Sequence, residues 1–488
     1  MSGLAIPEGL IVRKAPARPK HLPIRLDYRR FGQPGGPHVS DFKEFENASR
    51  FVVTLHEILM DGKDRLLKDG DVVMTGWKTE SPYIAEPELD AVQTAAQKLA
   101  AEIDVFWSDG IGGSFLGILA GVDGVLGSLE LFNLLPRKAR GGAPQLFFVG
   151  HNMDPRYTAR VLEIMKGRQA GGNVISKSGG TVEPAIAFAI MENAMKGSYS
   201  RKDVVKRIVA ITDRSRGALK KLANEMGYLT FTVPDNVGGR FSVTCPVGLF
   251  ALAVMGVNIK EFIAGAKFAE EQVRSQPFDK NISMLRAVMR FVAHKHMGKS
   301  IEWASTGIYD LRSTTMWMNQ LGPESEGKNG EGLLIVPQYY TRDAHADGQW
   351  GQEGPRILME TFLMVEDPGV DVIIPGKGTP VDYLNGKTLH AANTAFVEGL
   401  RDAHYAGGVP TMSYILPQLD AYTLGMFFQY EMNAIALSGL LLGQNPFIQP
   451  GVQAYKKIAD ARSGKPGTEE LQAKMREAEK GLNPNFIV

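Results

Sequence analysis

The chain has 488 residues, of which 44% are hydrophobic and 22% are charged, and its formal net charge is +1. This length and composition predict a globular protein with two or more domains and a large buried core. The balanced charge provides no overall field that would recruit nucleic acid or an anionic membrane, so we expect neither as a partner.

Three further features bear on the compartment of the protein. Cys245 is the single cysteine, which excludes an internal disulfide and suits a reducing compartment, so we expect the cytoplasm. Residues 1–10 lack the apolar core of a secretory signal. The most apolar long segment, residues 422–442, carries Glu431 between two amide side chains, which favours a buried helix over a membrane span.

Residues 1–100 are predicted to form an arm followed by helices. Residues 1–45 are rich in proline, arginine and lysine, and we expect an extended surface arm that wraps a neighbouring subunit rather than a nucleic-acid tail. The spacing of apolar residues predicts amphipathic helices over 51–67 and 86–101. Between them, Gly76-Trp77 predicts a loop that packs on the body of the protein.

Between residues 101 and 240, short apolar runs alternate with helical patterns. Strand, helix and strand at this spacing predict parallel βαβ units and hence a doubly wound αβα domain. In such a sheet, ligands bind beyond the carboxyl ends of the strands, at a topological switch point. The predicted strands are 103–107, 145–149, 173–176, 207–212 and 229–233, and the predicted helices include 155–166 and 216–225.

Residues 241–297 predict a helical connection, residues 298–445 a second αβα domain, and residues 446–488 helices at the C-terminus. The last of these helices is expected to begin after Thr468 and to end at Gly481. The expected fold class is therefore α/β, with two doubly wound domains of parallel sheet. Predicted strands of the second domain are 300–304, 332–336, 356–365, 370–374 and 411–416, and its predicted helices are 391–401 and 419–441.

The polar stretch Ser176-Lys177-Ser178-Gly179-Gly180-Thr181 follows one predicted strand and precedes a helix. Thr181 is a suitable N-cap, and Pro184 suits the first helical turn. Free backbone N–H groups and the positive end of the helix dipole converge at such a junction, which favours an anion such as phosphate. An ordinary polar βα loop is the alternative on this stretch alone.

A second glycine-rich turn, Gly110-Ile111-Gly112-Gly113-Ser114, also follows a predicted strand. A dinucleotide site would require GxGxxG and an acidic residue about 20 positions further on, which this chain lacks. A sugar or phosphate contact fits the turn better. Arg240 directly follows Gly238-Gly239, and the alternatives there are a surface charge, a buried paired charge and an anion-binding group.

Two acidic residues, Glu324 and Glu326, lie in a glycine-bounded stretch that we predict to be a loop, where one could point inward and the other to solvent. His345 lies in a second polar cluster and could relay protons near neutral pH. Lys456 is expected near the start of a helix. No set of histidine, cysteine and carboxylate residues has convincing metal-ligand spacing.

Taken together, these segments resemble the glucose-6-phosphate isomerase (phosphoglucose isomerase) family in its shorter bacterial and archaeal form. They occur in the order that the family shows, which makes the combination far more specific than any one segment. The matching segments are GIGGSFLG at 110–117, ISKSGGTVEPAIAF at 175–188, VGGRFSV at 237–243, NQLGPESEGKNGEG at 319–332, DAHADGQ at 343–349 and NPFIQPGVQAYKK at 445–457.

The resemblance implies an enzyme that interconverts glucose 6-phosphate and fructose 6-phosphate without metal or cofactor. It implies two sugar-isomerase-type αβα domains around the site and a homodimer. By the same resemblance, Glu324 is the base that moves a proton between C1 and C2, and Arg240 stabilises the enediolate. Lys456 assists ring opening together with His345, which the partner subunit contributes.

The remaining implied roles concern substrate binding. The resemblance assigns the phosphate to Ser176, Lys177, Ser178 and Thr181, and other substrate contacts to Gly113, Ser114, Gln320 and Gln449. It gives Glu326 no role, so we expect that residue to be solvated or salt-bridged.

Some positions depart from the family pattern. Gly180 and Val182 stand where relatives often carry Thr or Gln, so polar groups beside the phosphate loop are lost. Gln453 replaces a frequent Glu near Lys456, and Cys245 is expected to be a packed thiol, with sensitivity to oxidation as the alternative. These departures leave open a broader specificity, including mannose 6-phosphate. A non-catalytic sugar-phosphate-binding regulator on the same domains is a further alternative.

Overall fold

The computed structural model describes residues 7–13, 21–61 and 74–487. The basic arm between residues 14 and 20 and the end of the predicted helix 51–67 therefore lie outside the described residues. The described residues form the strands β1 (Ile11–Arg13), β2 (Arg25–Asp27), β3 (Val105–Asp109), β4 (Gln145–Val149), β5 (Ala170–Ile175), β6 (Ile208–Thr212), β7 (Leu229–Thr232), β8 (Ile301–Thr306), β9 (Leu334–Tyr339), β10 (Leu358–Asp367), β11 (Val370–Val372) and β12 (Thr411–Gln418).

Helices cover both sheets and connect them. In chain order they are α1 (Lys43–Asp61), α2 (Gly76–Thr79), α3 (Glu86–Glu102), α4 (Gly113–Leu126), α5 (Leu129–Phe132), α6 (Pro155–Met165), α7 (Val182–Ser198), α8 (Arg201–Arg207), α9 (Ala218–Met226), α10 (Pro246–Val254), α11 (Ile259–Ser275), α12 (Ile282–Lys295), α13 (Arg312–Glu326), α14 (Gly348–Glu353), α15 (Leu389–Ala406), α16 (Ala421–Leu441), α17 (Val452–Arg462) and α18 (Glu469–Lys480).

The first sheet has the strand order β4-β3-β5-β6-β7, and all its pairings are parallel. All residues of β3, β5 and β6 are buried, because helices cover both faces and the strands are near-continuous apolar runs. The five strands predicted between residues 101 and 240 are thereby confirmed. The chain passes from β3 to β4 on one side and then crosses back over β3 to form β5 on the other side. The switch point therefore lies between β3 and β5.

The second sheet repeats this winding, with the order β2-β12-β10-β8-β9. Strands β8, β9, β10 and β12 pair in parallel, whereas β2 adds an antiparallel edge strand. The described part of the N-terminal arm is thus partly a strand of this chain's own sheet. The predicted strand 370–374 does not join the sheet, since β11 pairs with β1 in a separate antiparallel ribbon.

A layer of helices, α10 to α12 with α16, connects the two sheets. The helices α10 to α12 lie within the predicted connection 241–297. The predicted helix 419–441 is present as α16, and every residue of α16 is buried. Gly76-Trp77 lies in the short helix α2 rather than in a loop, and Trp77 is fully buried against Phe241. Within the described ranges, no helix combines the length and the apolar character needed to cross a membrane.

Polar side chains of α16 are buried in pairs rather than exposed. Glu431 accepts two hydrogen bonds of 2.6 Å from Arg286, and Arg286 also donates to Glu302 at 2.9 Å. Arg290 contacts Glu302 and donates to Glu326 at 2.6 Å. Because an uncompensated charge in the core is costly, these pairs fix how α12, α13, α16 and β8 pack together.

The domain boundaries given above stay a prediction.

Candidate active site

A cavity of about 550 Å³ lies at the carboxyl ends of the first sheet, beside the switch point. It is lined by five residues that the sequence assigned to phosphate or sugar binding: Ser114, Ser176, Lys177, Ser178 and Thr181. The turn after β3 and the polar loop after β5 supply these residues, since parallel neighbours end at the same edge of a sheet. The structure thus brings this predicted set together.

The polar loop is shaped by its own hydroxyl groups. Ser176 Oγ accepts a hydrogen bond from the N–H of Gly179 at 3.0 Å, and Ser178 Oγ accepts one from Gly180 at 3.1 Å. Thr181 occupies the N-cap position of α7, although its side chain makes no capping bond. The loop therefore presents hydroxyls and the start of a 17-residue helix to the cavity, which favours an anion.

The turn after β3 connects this cavity to a second group of side chains. A methyl group at Gly113 would overlap the carbonyl oxygen of Gly239, so only glycine allows the turn to pack on the loop that carries Arg240. A methyl group at Gly112 would lie 2.8 Å from Nε2 of Gln320. The glycine turn is therefore sandwiched between the Arg240 loop and α13.

Arg240 and Glu324 form the centre of the second group. The Nη1 atom of Arg240 lies 3.2 Å from Oε1 of Glu324, and Gln320 donates to Oε2 of Glu324 at 3.0 Å. Arg240 Nη1 also donates to Gln449 at 3.0 Å. Four predicted site residues from three distant segments thus form one connected group, in which Arg240 and Gln320 contact the Glu324 carboxylate and Gln449 contacts Arg240.

The guanidinium of Arg240 is almost completely buried, with 2% of its side chain exposed, whereas 24% of the Glu324 side chain is exposed. The remaining hydrogen bonds of Arg240 go to Ser325 Oγ at 2.9 Å and to the carbonyl oxygens of Pro446 and Ile448. Burial lowers the pKa of Arg240, while the Glu324 carboxylate acts in the opposite direction. An arginine remains charged under these conditions, so a fixed cation faces the accessible carboxylate.

The stretch around Glu324 is not the loop that the sequence predicted. Glu324 lies in the last turn of α13, and Pro323 lies inside the helix. A proline within a helix removes one backbone hydrogen bond at a cost of about 3 kcal/mol. Hydrogen bonds from Arg240 to Ser325 and from Arg290 to Glu326 hold this turn in place, so tertiary contacts override the local signal.

Glu326 points away from Glu324 into the core. It is fully buried and ion-paired with Arg290, so the salt-bridged alternative is correct and the solvated one is wrong. Cys245 is a packed thiol, 1% exposed, whose Sγ contacts the carbonyl oxygen of Ser242. Burial raises the pKa of this thiol to about 12, which disfavours the thiolate needed for oxidation.

His345 and Lys456 are exposed side chains outside the hydrogen-bonded group around Glu324. His345 is exposed in a short 3-10 turn that follows β9, and Lys456 is exposed on α17. In the described part of the chain, neither side chain shares a hydrogen bond or ion pair with Glu324 or Arg240. Their predicted roles stay predictions.

Two basic residues near the site were missed by the sequence analysis. Lys328 donates to the carbonyl oxygens of Glu324 and Ser325 at the C-terminal end of α13. Its pKa is lowered to about 8, mainly by burial and to a smaller extent by the positive charge of nearby Arg240. Arg216 lines the cavity from the loop after β6. The available signal was positional, because Arg216 follows a strand of the same parallel sheet and so lies at the edge where ligands bind.

The arrangement combines a cavity lined with hydroxyl groups, an accessible carboxylate and a buried guanidinium. A carboxylate can accept a proton from carbon, and a fixed cation can stabilise the oxyanion that then forms. Among the described residues, no group of three or more histidine, cysteine or acidic side chains is arranged to hold a metal ion.

Comparison with known proteins identifies relatives that match most of the chain. A family model described as phosphoglucose isomerase matches residues 68–340, a range that contains both Arg240 and Glu324. The chain is 42% identical over 406 residues to a glucose-6-phosphate isomerase from Symbiobacterium thermophilum, covering 83% of this chain and 90% of the relative. It is 38% identical to one from Alkaliphilus metalliredigens, covering 93% and 98%.

Solved structures show the same architecture. A hypothetical protein from Thermus thermophilus is 27% identical, covers 90% of this chain and 99% of its own, and superposes with a TM-score of 0.77. A glucose-6-phosphate isomerase from Chlamydia trachomatis is 20% identical, covers 89% and 88%, and has a TM-score of 0.74, which supports the fold. The family match and the relatives agree with the motifs and the α/β fold, and the chain belongs to the phosphoglucose isomerase family.

Proposed function

We propose that this protein is a glucose-6-phosphate isomerase, which interconverts glucose 6-phosphate and fructose 6-phosphate. The observation that carries the proposal is the pair of Glu324 and Arg240, 3.2 Å apart, beside a cavity lined with hydroxyl groups. The family and the names of the relatives support the same reaction.

The substrate phosphate binds in the cavity, to the hydroxyls and backbone N–H groups of Ser176, Ser178 and Thr181, with Lys177 beside them. The sugar then extends along the glycine turn, past Gly113 and Ser114, towards Glu324. The contacts of Gly113 with the Arg240 loop support this path, since the turn lies between the two halves of the site.

Glu324 removes the proton from C2 of the open-chain aldose and returns it to C1. One base serves both carbons because they are neighbours, and the proton returns within the same substrate molecule. The electrons of the broken C–H bond form the enediolate, whose oxyanion Arg240 stabilises. O2 loses its hydroxyl proton and O1 gains one, so the net change is internal to the sugar. The step therefore consumes no electron acceptor, and we assign it no cofactor or metal.

Ring opening precedes this step, and His345 and Lys456 are the proposed proton carriers. We propose a cytoplasmic homodimer in which His345 enters the site of the partner subunit. The exposed position of His345, outside the Glu324 group of its own chain, supports that arrangement. Gln320 and Gln449 hold Glu324 and Arg240 through the hydrogen bonds described above.

A coupled assay for glucose 6-phosphate formation from fructose 6-phosphate, with EDTA present, tests the proposal. Wild-type protein should be active, and Glu324→Gln should lower kcat about 10²- to 10⁴-fold, because removal of a general base typically costs that much. Glu353→Gln, an exposed acid on α14, is the matched control and should retain wild-type kcat.

The other outcomes are equally informative. Activity that survives in Glu324→Gln would show that another residue is the base. Wild-type protein that binds fructose 6-phosphate without converting it would refute the proposed reaction and favour the regulator alternative. Loss of wild-type activity on adding EDTA would refute the metal-free mechanism.

A further inference from the structure

Only one predicted phosphate ligand is a cation, and that cation is already engaged. Lys177 Nζ donates to the carbonyl oxygens of Pro234 at 3.2 Å and Asp235 at 2.6 Å. Two of its three protons therefore point at the backbone of the neighbouring loop. A sugar phosphate, close to a dianion at neutral pH, needs more positive charge than one shared ammonium provides.

The cavity itself contains a negative side chain. Asp213 lines it and accepts hydrogen bonds from the N–H groups of Ser215 at 2.9 Å and Arg216 at 3.0 Å. These bonds lower the pKa of Asp213, so its carboxylate remains charged at neutral pH. The negative charge of Asp213 opposes an incoming phosphate unless a further cation offsets it.

Arg216 is the one other basic residue among the described residues that line this cavity. Its side chain is 80% exposed, and its ion pairs are long, 3.5 Å to Asp213 and 4.0 Å to Asp235. Ion pairs of this length between exposed groups contribute little. The guanidinium can therefore turn to a phosphate in the cavity without losing a strong contact.

The backbone places Arg216 next to the polar loop at residues 176–181. The two hydrogen bonds to Asp213 fix the turn that carries Arg216, and the N–H of Ala218 donates to the carbonyl oxygen of Ser178 at 3.0 Å. The loop after β6 thus packs on the loop after β5, and Arg216 projects from their junction.

We infer that Arg216 is a phosphate-binding residue of this site, which supplies through its guanidinium the charge that Lys177 shares with the backbone. The inference rests on the proposed function for the identity of the substrate, and it extends the binding set. A guanidinium and a phosphate form paired, charge-assisted hydrogen bonds, so the contribution is to affinity for the phosphate and not to proton transfer.

The test compares Arg216→Gln with Arg214→Gln, which removes an exposed arginine that does not line the cavity. We expect Arg216→Gln to raise KM for fructose 6-phosphate about tenfold with kcat changed less than about twofold, because only uniform binding is lost. Affinity for inorganic phosphate, measured by calorimetry, should fall by a similar factor. Arg216→Lys should recover part of the affinity, and Arg214→Gln should match wild type.

Equal KM and equal phosphate affinity in the two glutamine variants would overturn the inference, as would a fall in kcat with unchanged KM. Wild-type protein with no measurable affinity for inorganic phosphate or fructose 6-phosphate would also overturn it. If wild type binds phosphate through Arg216 yet shows no isomerase activity, the inference stands and the proposed function fails.

Discussion

Arg240 connects parts of the chain that are far apart in sequence. Its guanidinium donates to Ser325 at the end of α13 and to three groups between residues 446 and 449, and it faces Glu324. Loss of this one side chain would leave several buried acceptors without a donor. The residue proposed to stabilise the intermediate therefore also connects the segments that form the site.

Asp123 shows a different use of a single side chain, and it supports a prediction about pH. It links α4 to the neighbouring elements through hydrogen bonds from Leu129 N–H at 2.8 Å and from Ser313 Oγ at 2.7 Å. Burial raises its pKa from 3.8 to about 6, so folding takes up a proton between these values. The free energy of unfolding therefore falls as the pH rises through this window.

Asp123→Asn keeps an acceptor for Leu129 and a partner for Ser313 while removing the charge. We expect its free energy of unfolding to equal that of wild type below about pH 4 and to exceed it by up to about 3 kcal/mol at pH 8. Urea unfolding at several pH values measures this, with exposed Asp279→Asn as the control. A constant difference between the proteins across pH would contradict the assignment.

Among the elements, the glycine turn that opens α4 is the most constrained. Gly113→Ala would push the turn away from Gly239 and displace Arg240, so we expect at least a tenfold lower kcat and a loss of about 1–3 kcal/mol of stability. Gly399→Ala on α15 is the control, since a methyl group there meets no atom within 4 Å. That change should stabilise the protein by up to about 1 kcal/mol. Normal activity in Gly113→Ala would disprove the close packing.

The elements also show what the sequence could and could not predict. The strands of the first sheet were predictable because each is a short apolar run with helices on both sides, a pattern with one common solution. The helical end of α13 was not, because Gly322 and Pro323 signal a loop locally and the contacts that override them come from distant Arg240 and Arg290. Long-range contacts of this kind leave no local pattern.

The site itself divides in the same way. The polar loop at 176–181 and the glycine turn at 110–114 were predictable because the functional groups of each are carried by residues adjacent in the sequence. Arg216 was missed because a lone arginine in a loop resembles any surface charge until the sheet brings it to the cavity. The antiparallel pairing of β2 with β12 was missed for the same reason, since the two strands lie at opposite ends of the chain.

For the whole molecule, the main prediction concerns the partner subunit. If His345 acts across a dimer interface, a heterodimer of Glu324→Gln and His345→Ala contains one site with both residues intact. Co-expression with two affinity tags and sequential purification isolates that species. We expect about half the wild-type activity, whereas the homodimer of each variant should be nearly inactive. An inactive heterodimer would place His345 in the site of its own subunit.

The edge strand β2 has a consequence for how the protein is made. Its partner β12 begins only at Thr411, and α1 packs on α12 and α16, which also come late in the chain. At about 5–20 residues per second, the N-terminal segment waits on the order of 20 to 80 seconds for that partner to be synthesised. The first sheet, contiguous from Val105 to Thr232, can form on the ribosome in the meantime. The apolar face of α1 therefore lacks its packing partners α12 and α16 until those helices have been synthesised.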